Sequence, residues 1–245
     1  MTRILNEIKL LSIAVFVALI IRSLFFEPFH IPSGSMKSGL LTGDFIFVSK
    51  SSYGYSKYSF PFGLAPIKDR IFFEKPQRGD VAVFRLPTDP DINYIKRLIG
   101  LPGDRIQVKD SLLYLNGELL DRDKIASFDT KNRYDKPIKM DQYLETLPSG
   151  KSYKVIESAY DLPQDNTKIY LVPEGHYFFM GDNRDNSKDS RFIYDVGFVP
   201  EQNLIGKAKF IFMSYDRSEK PKNFLQRLYE FFTKIRFSRI FKAVD

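Results

Sequence analysis

The chain has no cysteine in its 245 residues. That absence excludes disulfides, thiolate nucleophiles and cysteine-based zinc sites. Histidine is almost missing as well: only His30 and His176 occur, far apart and outside any HExxH pattern. No metal site is expected from them, and a Ser-His-Asp triad would have to recruit one of the two. Two common serine-hydrolase signatures are also lacking. No serine has lysine three residues later, and no Gly-x-Ser-x-Gly elbow is present. There is no internal repeat, and only one strongly apolar run.

What is present suits a folded body of one or two domains. Hydrophobic residues make up 43% and the mean hydropathy is −0.26, which fits a mostly soluble chain with a sizeable core. The net charge of +7 and pI near 9.3 admit nucleic acid or anionic lipid as partners. Much of the positive charge lies near the chain ends.

The single apolar run, Leu10 to Ile21, carries no charge and is bracketed by Lys9 and Arg22. Long basic side chains snorkel, and Ser23 to Phe26 prolong the apolar length before Glu27-Pro28 stops it. A membrane anchor over residues 10–28 is expected, preceded by a short tail, 1–9. Arg3 and Lys9 against Glu7 favour a cytoplasmic tail. A buried soluble helix and a cleaved signal peptide are the alternatives. Against cleavage, Phe25, Phe26 and Glu27 stand where small exit residues belong.

From Phe29 the pattern turns strand-like. Short β-prone runs at Asp44–Val48, Asp80–Phe84, Arg105–Val108, Ser111–Leu115, Tyr170–Val172, His176–Met180 and Ile205–Met213 are punctuated by Gly and Pro. Asn116-Gly117 fits a two-residue hairpin. The expected fold is mainly β, an antiparallel body over 29–245. Residues 121–168, polar and charge-rich, read as an inserted lobe. Residues 223–242 place Phe224, Leu228, Phe231 and Ile235 at helical spacing among basic residues, predicting a C-terminal amphipathic helix for a membrane surface or for docking on the domain.

Two hydroxyls in Ile31-Pro32-Ser33-Gly34-Ser35-Met36 follow the anchor, and Ser35 is a candidate nucleophile. It needs a base. His30 lies five residues away in an extended segment, where odd separations face opposite sides. Lys96, within Tyr94-Ile95-Lys96-Arg97-Leu98-Ile99, is the other option: burial would lower its pKa toward neutrality. The alternative is a solvated strand-edge lysine. The polar stretch Gly181 to Arg191 interleaves Asp, Asn and Arg and reads either as a surface loop or as a satisfied network beside a core.

Three separated segments together resemble bacterial type I signal peptidase, a membrane-bound Ser-Lys serine protease. They are Ile31-Pro-Ser-Gly-Ser-Met36, Tyr94-Ile-Lys-Arg-Leu-Ile-Gly-Leu-Pro-Gly-Asp104 and Gly181-Asp-Asn-Arg-Asp-Asn-Ser-Lys-Asp-Ser-Arg191. Arg78-Gly79-Asp80-Val81 matches a fourth, shorter motif, and the order is the family's. The resemblance implies Ser35 as nucleophile and Lys96 as general base, with Ser33 and the Ser35 N–H as oxyanion hole. Ser187 would orient the Lys96 amine, with Asp182, Asp189, Arg191 and Arg97 in support. Ile31, Pro32, Met36, Tyr94 and Ile95 would bind substrate, with shallow pockets for small side chains at −1 and −3. No metal or cofactor is implied.

Two departures stand out. The family's x-Pro-Thr-Leu after Ser35-Met36 is replaced by Lys37-Ser38-Gly39-Leu40. Five residues, Phe192 to Val196, separate Arg191 from Gly197-Phe198-Val199, where the family has two. The implied activity is removal of signal peptides from pre-proteins at the outer face of a bacterial cytoplasmic membrane, by a single-pass protein with lipid but not nucleic acid as neighbour. Rival readings are a self-cleaving Ser-Lys repressor and a non-catalytic, membrane-tethered β-scaffold that binds signal sequences.

Overall fold

The computed structural model describes residues 2–60, 66–131, 137–158, 162–216 and 233–245. A single long helix, α1 (Thr2–Leu24), opens the chain. Within Arg3–Leu24 the most apolar 18 residues have a mean hydropathy of 2.3 and none of them is buried against the rest of the protein, so the helix is long and apolar enough to cross a membrane. The helix ends at Leu24, and Phe26–His30 already forms strand β1, so residues 26–28, assigned above to the anchor, belong to the sheet. Pro28 is tolerated there because β1 is an edge strand.

The rest is antiparallel β, as the residue pattern implied. Seven strands make the main sheet in the order β1, β2 (Asp44–Ser49), β14 (Leu204–Ser214), β3 (Val81–Leu86), β4 (Asp89–Gly100), β12 (His176–Met180) and β13 (Val199–Pro200). A second sheet joins β11 (Tyr170–Leu171), β5 (Arg105–Lys109), β6 (Leu112–Leu115) and β7 (Glu118–Leu119). Its β6–β7 turn is Asn116-Gly117, with φ of 56° and 93°, the left-handed pair that a two-residue hairpin requires.

Residues 121–168 build a sheet of their own, β8 (Asp121–Lys131), β9 (Pro137–Thr146) and β10 (Ser152–Glu157). It is not a detached excursion: Leu147, Tyr153 and Val155 join Ile99, Phe178 and Met180 in one buried cluster. A second cluster, including Ile31, Met36, Val48, Val83 and Ile205, lies under the 31–43 connection, and a third surrounds Phe84, Leu98 and Phe179. Burying side chains of this size contributes roughly 1.5–3 kcal/mol each, which fixes the connection on the sheet.

The C-terminal helix expected over 223–242 divides in two. Its residues 223–232 lie outside the described residues. From Lys234 onward the chain is not an amphipathic helix: Ile235 bridges Tyr215, a short 3-10 turn covers Phe237–Arg239, and Ala243 bridges Phe210. Arg239 pairs through Nε (3.0 Å) and Nη2 (2.6 Å) with the fully buried Asp44. A buried carboxylate demands such a partner, and this holds the basic tail on the protein.

Candidate active site

Three elements meet at the site. β4 pairs β3 on one side and β12 on the other, so the loop leaving β12 at Met180 emerges beside Arg97. The turn after β1 carries Ser33 and Ser35, and the polar loop grips it: the Asn183 N–H donates to Ser35 O at 3.0 Å, and Asn183 Nδ2 donates to Gly34 O at 2.9 Å. Gly181 permits this approach, because a Cβ there would stand 2.6 Å from Ser35 O and 2.1 Å from Ser187 Oγ.

On β4 successive side chains face opposite sides. Lys96 points to the serines and Arg97 to the loop. Lys96 Nζ donates to Ser35 Oγ at 2.7 Å and to Ile95 O at 2.9 Å, and Ser33 Oγ lies 3.3 Å from Ser35 Oγ. The Lys96 ammonium also sits 5.1 Å from the Tyr94 ring centroid. Ser35 and Lys96 are 7% and 4% exposed. Burial pushes the Lys96 amine down to about 8, although Asp189 and Asp182 pull it upward. An amine so placed is neutral often enough near physiological pH to accept the proton of a serine hydroxyl.

The polar loop is a paired network rather than a solvated surface loop. Arg97 binds Asp182 through two bonds of 2.8 Å, and Arg191 binds Asp189 through two of 2.9 Å. Burial alone would push Asp189 upward, but Arg191 and the Gly181 N–H, at 3.0 Å, override it and hold the carboxyl below its usual range. Arg184, also buried, forks onto Glu145 of β9, which accepts from Tyr153 Oη at 2.9 Å; Tyr153 in turn lies under Arg97, 4.3 Å from ring centroid to Cζ. The lobe thus braces the loop from behind.

A cleft of about 570 Å³ opens onto Ser35 and Lys96, lined also by Ser33, Tyr94, Ser187, Lys188, Phe192 and Asp195. The five-residue stretch Phe192–Val196 therefore forms part of this lining, tied to the β3–β4 turn by Thr88 Oγ1 donating to Asp195 O at 2.7 Å. Neither histidine lines it: His30 packs against Phe45 in a tilted ring pair, and His176 faces Glu174 O.

The other expected site residues fall in different places. Tyr94 lines the cleft, Ile95 is partly exposed and Pro32 is exposed, whereas Ile31 and Met36 are 2% and 1% exposed in the core beneath the turn. Met36 lines a separate cavity of about 240 Å³ with Arg97, Asp182 and residues 242–245 of the tail. Ser187 lines the cleft but is not bonded to Lys96; among the described residues its buried hydroxyl makes no well-formed hydrogen bond, yet it stands near enough to Asp189 to help keep that carboxylate ionised. Sequence reasoning missed Asn183, Glu145 and Tyr153. Asn183 lay within a recognised motif, but nothing local to Glu145 or Tyr153 signals the site.

The substituted Ser38-Gly39 pair has a physical explanation. Ser38 sits at φ 96°, a value closed to proline, and its hydroxyl donates to Lys154 O of β10 at 2.6 Å. The turn that contains the pair is closed by Leu40 N donating to Met36 O at 2.9 Å.

A lysine amine aimed at a buried serine hydroxyl beside an open cleft is the equipment of a serine hydrolase in which lysine stands where histidine commonly does. The chain belongs to the signal peptidase family: the family model described as signal peptidase, peptidase S26, matches residues 4–213. It is 42% identical over 244 residues to signal peptidase I of Rickettsia akari (strain Hartford), covering 94% of this chain and 90% of that one. Against signal peptidase I of Rickettsia typhi (strain ATCC VR-144 / Wilmington) the identity is 43% over 250 residues, with coverages of 97% and 92%. A crystal structure of a signal peptidase I from Enterococcus faecalis V583 is 30% identical and covers 55% of this chain and 97% of its own, with a TM-score of 0.34.

Proposed function

We propose that this protein removes signal peptides from exported precursors by a Ser35–Lys96 dyad. The observation that carries the reading is the 2.7 Å contact from Lys96 Nζ to Ser35 Oγ, made in a buried site that lowers the amine's pKa. In the first step Ser35 Oγ attacks the scissile carbonyl carbon while neutral Lys96 takes its proton. The oxyanion is met by the Ser33 hydroxyl and the Ser35 N–H. The resulting lysine ammonium returns the proton to the departing amine, leaving an acyl-enzyme. Water, deprotonated by the same amine, then attacks the ester and frees Ser35.

In this reading α1 anchors the protein, with the catalytic body on the outer face of the cytoplasmic membrane and residues 1–9 inside; its length and apolar character support the anchor. An exposed aromatic rim supports lipid as a neighbour: Phe25 and Phe26, at the end of α1, are 51% and 40% exposed, and Phe237 and Phe241 are 71% and 79% exposed. Aromatic side chains at a bilayer surface anchor a body beside its spanning helix. Substrates carry small residues at −1 and −3, which would enter the cleft beside Tyr94. Incubation with a signal-bearing precursor and sequencing of the new N-terminus tests the assignment; cleavage after large −1 residues rejects it.

A further inference from the structure

At the exit of α1, four strands and the helix end converge on a small cavity of about 50 Å³ that the peptidase chemistry does not use. Its charged lining is Arg22, Lys50, Arg85 and Glu27. Glu27 is shared: Arg22 reaches Oε1 through Nε (3.0 Å) and Nη2 (2.7 Å), and the buried Lys50 reaches Oε2 at 2.8 Å. One carboxylate therefore serves two cations, and a third, Arg85, has no acid partner there among the described residues. Among the described residues the buried Arg85 Nε has no hydrogen bond, and Nη1 makes a long 3.4 Å contact to Asp91 O. The Arg85 guanidinium lies 5.6 Å from the Tyr58 ring centroid, whose surroundings also include Lys57 Nζ at 4.9 Å. Arg22 and Arg85 are both close enough to Lys50 to repel its charge, adding to the burial that lowers its pKa.

A polar recess with an excess of positive charge and available guanidinium donors suits an anion. Its position names the source. Arg22 lies in the last turn of α1, so if α1 crosses the bilayer the recess opens at the level of the lipid head groups. We infer that Arg22, Lys50 and Arg85 form a binding site for a phosphate group, supplied by the head group of an anionic phospholipid. This rests on the membrane-spanning reading of α1. A bound phosphodiester would supply the second anion beside Glu27 and fix the catalytic body against the membrane plane at one edge of its main sheet.

The test uses the full chain in detergent, titrated with dioleoylphosphatidylglycerol and, separately, dioleoylphosphatidylcholine, with retained lipid counted by native mass spectrometry. The wild type should retain phosphatidylglycerol preferentially, and Arg85→Gln and Arg22→Gln should each weaken retention about fivefold, as expected for one basic side chain at an anionic surface. Peptide cleavage in detergent should be unchanged in both variants. A parallel arm measures stabilisation of the folded chain by inorganic phosphate; a phosphate effect lost in the same variants, without lipid preference, upholds the anion site and assigns it to free phosphate. Equal phosphatidylglycerol retention by wild type and the double variant, with no phosphate effect, overturns the site. Release of the expressed chain from membranes by alkaline carbonate would instead overturn the spanning reading of α1, and the lipid site with it.

Discussion

The backbone N–H of Asn183 donates to the carbonyl oxygen of Ser35 at 3.0 Å, and the side-chain amide of the same residue holds Gly34 O at 2.9 Å. Two bonds from one residue fix the turn that aims the serine, across nearly 150 positions of sequence. Asn183→Ala removes only the side-chain bond. It should lower kcat by about 10- to 100-fold with a smaller change in KM, since the loss is one of positioning. Steady-state cleavage of a signal-peptide substrate checks this; an unchanged kcat contradicts it.

Lys96 must be neutral to act as base, and its amine is pushed down to about 8. The rate should therefore rise close to tenfold per pH unit below that value and level off above it. A pH profile of kcat/KM that is flat between pH 6 and 9 would contradict the assignment. Lys96→Arg should be inactive across this range, because guanidinium does not give up its proton.

The same burial makes Lys96 costly to the fold. Its pKa in the folded protein, about 8, lies below the ordinary 10.5. Between these values the unfolded chain holds a proton that the folded one lacks, so stability rises with pH over that window, and the full penalty applies below it. Lys96→Met should therefore be inactive yet more stable than wild type at pH 7, by on the order of 2 kcal/mol. Denaturation in detergent reads it; a less stable variant would mean that the lysine is a net structural support.

Asp189 pulls the Lys96 amine upward, so Asp189→Asn should move the pH–rate midpoint toward acid. It also strands the buried Arg191, at a cost of about 3–5 kcal/mol. Both changes should appear in one variant, measured by rate profile and by melting. A midpoint shifted toward alkali would show that the two charges do not face each other.

Much of the body was legible from local pattern. The runs at Asp44, Arg105, His176 and Ile205 form strands within a few residues of their expected limits, because period-two alternation and Gly or Pro punctuation are local signals. Strand β1 was harder to see, since Phe26 prolongs an apolar run and only pairing with β2 makes it extended. Ser35 and Lys96 stood out through short motifs, but their contact depends on long-range pairing of β3, β4 and β12. Glu145 and Tyr153 were invisible for the same reason. They belong to a polar lobe, and their role exists only because Arg184 and Arg97 need partners once buried. The basic tail misled in the other direction: Arg239 is committed to Asp44.

In the proposed mechanism Ser35 and Lys96 act together on a signal-bearing precursor. It is tested most directly by incubating the purified full chain, Ser35→Ala and Lys96→Ala with one such precursor and sequencing the new N-terminus. The wild type should make a single cut, after small residues at −1 and −3, and neither variant should cut, with all three folded. Cleavage at that same bond by either variant would contradict it.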